Sequence, residues 1–513
     1  MKCAMLAIPA PSHPVLRAGE TCWRIGRADR MRVIIDAVEY FKQLRAALLT
    51  ARHSVMIVGW DFDTRIELDR DDAGDGTIPN QVGALIDKAV ADNPELQVYV
   101  LRWDLQFVKT PLRGATPLVV LDWVTGDRTH FKLDAHHPIS ACHHQKLVVI
   151  DDALAFCGGI DITDGRWDTP EHLDDEPRRQ GPAGNDNPPW HDATVALHGP
   201  VAQALGDLAR SRWQLATGEM PAAPPPGLDR WPATLEPDFC DVDVGIARTS
   251  PEYEGAPLVA EIAALYLAAI ASARNNIYLE SQYFSAPVVA EAIAARLREA
   301  DGPDVVIVNP RTADGWLEAK FMDSARAVLL ARLRAADVHG RLRFCTPVTA
   351  GGDDIYVHAK VLVIDDRLLR VGSSNINKRS LDTDTECDVA IEASGDNADV
   401  CANIARIRNA LLVEHLGISV ADWEAALTAA DGRLVAALDS KLRPSGRTLA
   451  PFEPEPLSAV ELALAETQVN DVGPEAFAAS LVAQLAKPLR RFVPWAALAA
   501  GLAAAAFVRV RRT

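Results

Sequence analysis

The sequence predicts an α/β protein in which two copies of one α/β/α sandwich pack with pseudo-two-fold symmetry and share an active site at their seam. Three observations predict it. One stretch occurs twice, as HHQKLVVIDDALAFCGGID from His143 to Asp161 and as VHAKVLVIDDRLLRVGSSN from Val357 to Asn375. Helical and strand patterns alternate in the same order ahead of each copy. A proline-rich linker, 217–235 with MPAAPPPG inside it, lies between the copies. A short motif alone is weak, but one repeated in register with the same apolar filling is strong.

The elements follow in order. Ile35 to Leu49 reads as an amphipathic helix with Val38, Phe41, Leu44 and Leu48 on one face, and Ser54 to Trp60 as a strand. A helix over Asn80–Ala91 and a strand over Gln97–Leu101 lead to the first motif. Asp164 to Trp190 is a long polar loop that should border the site. A strand from Asp192 to Gly199 and a helix from Pro200 to Leu215 close the first half, 1–216. The second half, 236–442, repeats the plan. Its helices are Leu258–Ser272, Val288–Ala300 and Phe321–Ala335; its strands are Asn276–Leu279, Asp304–Val308, Arg341–Cys345 and, after the second motif, Asp388–Gly395. Residues 443–489 read as a loose acidic arm and 490–513 as a C-terminal membrane anchor.

Each motif is H-x-K, four apolar residues, then Asp. The apolar run reads as a strand buried on both faces, and residues two apart on it point the same way. His144 with Lys146, and His358 with Lys360, therefore present an imidazole and an ammonium together. Asp151-Asp152 and Asp365-Asp366 read as tight turns into strands that end at Gly158 and Gly372. Imidazole can attack phosphorus or carry a proton, lysine suits phosphate oxygens, and an Asp can fix an imidazole tautomer. Two such sets suit a two-step transfer through a phospho-histidine, with His144, Lys146, Asp151, His358, Lys360 and Asp365 as the catalytic groups. A single copy reads equally well as a structural strand.

These paired motifs resemble those of the phospholipase D superfamily. Asn276–Phe284, Gly372-Ser373-Ser374-Asn375 with Asn377, Arg379, Ser380 and Glu386, Arg166-Trp167-Asp168, and Trp190-His191-Asp192 resemble further segments of that family. The resemblance spans roughly Ala51 to Gly417. It implies His144 as nucleophile and His358 as general acid. It also implies Ser373, Asn375 and Asp161 at the phosphate, with Glu280, Gln282, Glu386 and Asp192 in support. Asp161 stands where the second copy has Asn375, so the half-sites are not equivalent. The implied activity is phospholipid headgroup hydrolysis, with water as acceptor. Transphosphatidylation to an alcohol, a superfamily nuclease, or a dead-site membrane scaffold are the alternatives. No metal or other cofactor is expected, because the lysines and the Ser373 and Asn375 side chains would neutralise the phosphate.

Composition agrees with an ordinary globular enzyme: 513 residues, 49% hydrophobic and 24% charged. A net charge of −18 argues against nucleic acid as the main partner. The eight cysteines form no C-x-x-C pair and read as free, mostly buried thiols. The N-terminus, broken by Pro9, Pro11 and Pro14, is a poor secretory signal. Phe492 to Val508 is uncharged and flanked by arginines, which suits an anionic bilayer. The expected setting is a monomer at a membrane surface, on the cytoplasmic face or as a peripheral protein; secretion without a recognisable signal is the alternative. Asp61 and Asp63 lack a third ligand and are read as strand-end acids rather than a metal site.

Overall fold

A computed structural model describes residues 14–71, 76–104, 123, 127–138, 141–313, 316–393, 395, 397–458, 462 and 465, without the side chains of 316–321. The chain forms two compact units, Met1–Glu455 and Pro456–Thr513. The expected anchor, 490–513, lies outside the described residues. No described helix is long and apolar enough to cross a membrane.

The first unit is built on one 16-stranded sheet. Its first half supplies β1 (Arg24–Ile35), β2 (Ser54–Gly59), β3 (Gln97–Trp103), β4 (Thr129–Asp134), β5 (Leu147–Ile150) and β6 (Leu154–Gly158), then the short β7 (Trp190–His191) and β8 (Ala193–His198). The second supplies β9 (Phe239–Ser250), the short β10 (Val259–Ala260), β11 (Asn276–Glu280), the short β12 (Phe284–Ser285), β13 (Asp304–Val308) and β14 (Leu342–Val348). It continues with the short β15 (Tyr356–Val357), β16 (Val361–Ile364), β17 (Leu368–Gly372), the short β18 (Ile376–Asn377), β19 (Glu386–Glu392) and β20 (Thr448–Pro451). The order β4-β3-β2-β5-β6-β8-β1 is mirrored by β14-β13-β11-β16-β17-β19-β9, with β20 added at the edge. β1 and β9 pair antiparallel, Met31 opposite Phe239, and join the halves.

The motif strands, with β2 and β13, form where the apolar runs predict. β2, β5, β13 and β16 are buried at every residue because helices cover both faces of the sheet. Helices Ala37–Thr50 and Val82–Asp92 cover one face of the first half, through Phe41, Leu44, Leu85 and Ile86. Helices Pro200–Thr217 and Ala398–Leu416 contribute to a core that runs through both halves, with Leu205, Trp213, Ile404 and Leu411 at its centre. The motif aspartates make the turns. Asp151, Asp152, Asp365 and Asp366 all adopt φ between 51° and 54°, a left-handed region Asp tolerates better than most residues, and they form the centre of turns that Ala153 and Arg367 N–H close on the Ile150 and Ile364 carbonyls.

Two expectations are corrected. Ile35 does not open a helix; it ends β1, and the chain turns at Asp36, φ 62°, before the helix begins at Ala37. The arm expected from residue 443 is in part a strand, since Thr448–Pro451 pairs antiparallel with β14. Among the described cysteines Cys240 is exposed and the others are buried, as expected of mostly buried thiols.

Candidate active site

The two H-x-K segments meet where the halves touch. Val357 pairs with His191 in a short parallel ladder, and His143 bridges to Thr385. His144 N–H donates to the Thr385 carbonyl at 3.0 Å, and His358 N–H to the His191 carbonyl at 2.8 Å. Each half thus fixes the backbone of the other half's histidine.

The imidazoles are held by carboxylates from across the seam. His144 Nδ1 lies 3.0 Å from both oxygens of Glu386, at the start of β19. His358 Nδ1 lies 2.7 Å from Asp192 Oδ2, just before β8. Both carboxylates are fully buried. With Nδ1 engaged, Nε2 is the ring nitrogen each histidine offers to a substrate. Burial, reinforced by Lys146 and Lys360, pushes His144 well below the ordinary imidazole range; burial, Lys360 and Arg166 do the same to His358. Burial and the neighbouring cations thus both favour the neutral form of each ring.

The lysines differ. Lys146 Nζ pairs with Asp161 Oδ2 at 3.1 Å and donates to the His144 carbonyl. Lys360 Nζ donates to the His358 carbonyl and lies 3.5 Å from Gln282 Oε1. Burial pulls Lys360 down to about 7, against the opposing pull of Asp192. Asn375 Nδ2 donates to the same Gln282 oxygen at 3.3 Å, and Gln282 Nε2 to Tyr356 Oη at 2.9 Å. Trp190 stacks on Tyr356 with centroids 4.6 Å apart, approaches His358 at 5.1 Å, and carries the Arg166 guanidinium 4.2 Å above its ring. The long loop after the first motif thus does border the site. Tyr356 was not read from the sequence, although an aromatic residue two positions before a motif histidine shares its side of the strand.

Other candidates lie elsewhere. Asp151 and Asp365 do not reach the imidazoles, which corrects their catalytic assignment. Asp151 accepts the backbone N–H groups of Arg52, His53 and Ser54, at 2.7 to 3.0 Å, and pairs with Arg230 at 2.6 Å. Asp365 accepts those of Arg274, Asn275 and Asn276, at 2.7 to 2.8 Å. Both aspartates tie the hairpin to the chain entering β2 or β11. Ser373, expected at the phosphate, donates to Glu386 Oε2 at 2.5 Å and accepts from Cys387 N–H. Asp161, also expected there, is an acceptor committed to Lys146 and to Trp60 N–H. Glu280 turns away from the lysines to His191 and His415, each at 2.9 Å. Asp61 pairs with Arg102 and Asp63 with Arg65.

The Asp365 assignment is testable. Asp365→Asn keeps a side chain that tolerates the positive φ but halves the acceptor capacity facing three buried N–H groups. A stability loss of about 1–3 kcal/mol is expected, with turnover per folded molecule changed less than about twofold. Denaturant unfolding set beside kcat measures both; a thousandfold loss of kcat in a stable variant would return Asp365 to the catalytic set.

A gap-free approach maintains the geometry. A Cβ on Gly159 would sit 2.1 Å from Asp192 Oδ1, and one on Gly372 2.6 Å from the Asp388 Cα. Any side chain at Gly159 would displace the carboxylate that orients His358.

Two family models match the chain. The family described as "Phospholipase D" matches residues 47–224, and "Cardiolipin synthase, PLD-like domain" matches 266–408, one per half. Phospholipase D alpha 1 of Carica papaya is 27% identical, covering 72% of this chain and 63% of the relative. The same enzyme of Nicotiana tabacum is 26% identical with the same coverage. The chain thus spans less than two thirds of the length of these curated relatives. The crystal structure of phosphatidylserine synthase from Haemophilus influenzae Rd KW20 superposes with a TM-score of 0.52 at 14% identity, over 76% of this chain and 88% of that one, a likeness of fold.

Proposed function

The chain belongs to the phospholipase D superfamily, and we propose that it is a phosphodiesterase that cleaves phospholipid headgroups through a phospho-histidine. The observation that carries this reading is the crossed pair of imidazole–carboxylate contacts, His144 with Glu386 and His358 with Asp192. His144 Nε2 attacks phosphorus. The headgroup oxygen leaves with a proton from His358 Nε2. His358 then takes a proton from the incoming water, whose oxygen displaces His144 and releases phosphatidic acid. The bound phosphodiester is an anion; it offsets the ammonium groups that depress the imidazoles and so lifts His358 toward its protonated form. His144 is the more exposed ring, 14% against 5% for His358, which favours it as nucleophile.

An alcohol can replace water at the second step. Transphosphatidylation is therefore the second reading, favoured by the aromatic wall of Trp190 and Tyr356 beside His358, which can exclude water. Mass spectrometry of products from mixed phospholipid vesicles, with and without glycerol, tests both. Phosphatidic acid in every case supports hydrolysis. Phosphatidyl-glycerol as the main product supports the transferase, and no headgroup release from any phospholipid would overturn the proposal.

The pH dependence has a definite sign. Burial pushes Glu386 up to about 7, against the opposing hydrogen bond from Ser373. It must be ionised to accept the His144 Nδ1 proton, so kcat/KM should rise through about pH 7. Lys360 must be charged to hold phosphate, so kcat/KM should fall once that proton is lost, again from about 7 upward. The expected profile on a soluble short-chain substrate is a narrow bell centred near neutrality. A rate flat from about pH 6 to 9 would contradict it.

A further inference from the structure

Behind the catalytic histidines lies a second set of histidines and carboxylates that the reaction does not use, buried at Asp36, His172 and His191 and partly buried at Glu414. Asp36, His172, His191 and Glu414 each offer one ligand atom, all within 4.8 Å of one another. His191 Nδ1 lies 2.7 Å from Glu414 Oε1 and 3.3 Å from Asp36 Oδ1; His172 Nε2 lies 3.2 Å from Glu414 Oε1 and 3.6 Å from Asp36 Oδ2. Four ligands bound tetrahedrally at about 2.0–2.1 Å stand about 3.3 Å apart. These four histidine–carboxylate separations bracket that edge length.

Two further observations point to an ion. Asp36 Oδ2 is buried and has no hydrogen-bond partner. Each histidine also turns its far nitrogen to a separate carboxylate: His172 Nδ1 to Asp168 Oδ2 at 2.9 Å, and His191 Nε2 to Glu280 Oε2 at 2.9 Å. These outer carboxylates are themselves held, Asp168 by Arg179 at 3.0 Å and Glu280 by His415 at 2.9 Å. An imidazole whose far N–H is fixed on a carboxylate presents a basic near nitrogen, the arrangement that orients histidine ligands on metals.

We propose that Asp36, His172, His191 and Glu414 bind one divalent transition-metal ion of zinc type. Two imidazole nitrogens and two carboxylate oxygens are borderline donors that suit zinc better than calcium or magnesium. Two carboxylates neutralise its charge, and four protein ligands leave no position for substrate, so the ion is structural. Its ligands come from the turn after β1, the long loop, β7 and the end of helix Ala398–Leu416, so it ties the second half's last long helix to the first half. His191 immediately precedes Asp192, and the ion would hold the base of the carboxylate that orients His358. This is separate from the expectation that the phosphate itself needs no cation.

Elemental analysis of the full-length protein, made in zinc-supplemented medium and dialysed, tests the proposal. About one zinc per chain is expected, with an X-ray absorption spectrum showing four N/O neighbours at about 2.0–2.1 Å and the outer scattering of two imidazoles. His172→Gln and Asp36→Asn should each lose the ion. If either variant fails to fold, the native protein decides alone. Less than about one tenth of an equivalent of any divalent metal, with Tm unmoved by added zinc, would overturn the proposal. So would a metal retained in both folded variants, or an absorption spectrum without imidazole, either of which marks adventitious surface binding.

Discussion

His144→Ala should reduce headgroup release by about 10⁴-fold or more, the loss of a nucleophile and of the covalent intermediate with it; that corresponds to about 5.5 kcal/mol of transition-state stabilisation. His358→Ala should act differently. It retains the nucleophile but lacks the donor for the leaving oxygen, so a substrate with a good leaving group, such as a nitrophenyl ester, should recover much of the first step. Phosphate should then accumulate on His144, because no group remains to activate water. Protein quenched in alkaline denaturant, where the histidine–phosphorus bond survives, and analysed by mass spectrometry locates the modification. Phosphate found on His358 in wild type and absent from His144 would reverse the two roles, and phosphate on neither, under single turnover, would rule out covalent catalysis.

How much of this was legible in the sequence depends on distance along the chain. The motif strands were legible because an apolar run between H-x-K and Asp-Asp has one reading, a doubly covered strand closed by a left-handed turn, and Leu147–Ile150 and Val361–Ile364 are such strands. The joining strands were not. Arg24–Ile35 carries Arg24, Arg27, Arg30 and Arg32 among its apolar residues, and its outer half is exposed, so its alternation is weak. Phe239–Ser250 likewise interleaves Asp241 and Asp243 with valines. The motif aspartates were misassigned for a physical reason. Spacing shows that Asp151 follows a strand, but not that its carboxylate folds back onto three amides of another segment. The true partners of the histidines lie 242 and 166 residues away. Only the packing of the halves brings them together, and the family resemblance, not spacing, singled out Glu386 and Asp192. The same limit hid the Asp36–His172–His191–Glu414 cluster, whose members share no local pattern.

The crossed carboxylates should each be worth nearly as much as the histidines they hold. Asp192→Asn preserves size and burial but presents an amide in place of an acceptor-only group. If its nitrogen faces His358 Nδ1, that nitrogen must lose its proton, and the proton moves to Nε2 permanently; if its oxygen faces Nδ1, the orientation survives without the charge that stabilises the imidazolium. Either outcome impairs the acid–base cycle, and a kcat loss of about 10²–10⁴-fold is expected. Glu386→Gln should cost a similar factor at His144, where imidazolium character develops as Nε2 bonds phosphorus. The two variants should differ in pH behaviour. Glu386→Gln removes the group that titrates near 7, so its acid limb should vanish, whereas Asp192→Asn should retain that limb. Because Asp192 and Glu386 belong to one reaction cycle, the double variant should lose much less than the product of the single losses. Fully multiplicative losses would show the two half-sites acting independently, and that result would contradict a two-step transfer in which both histidines serve one phosphate.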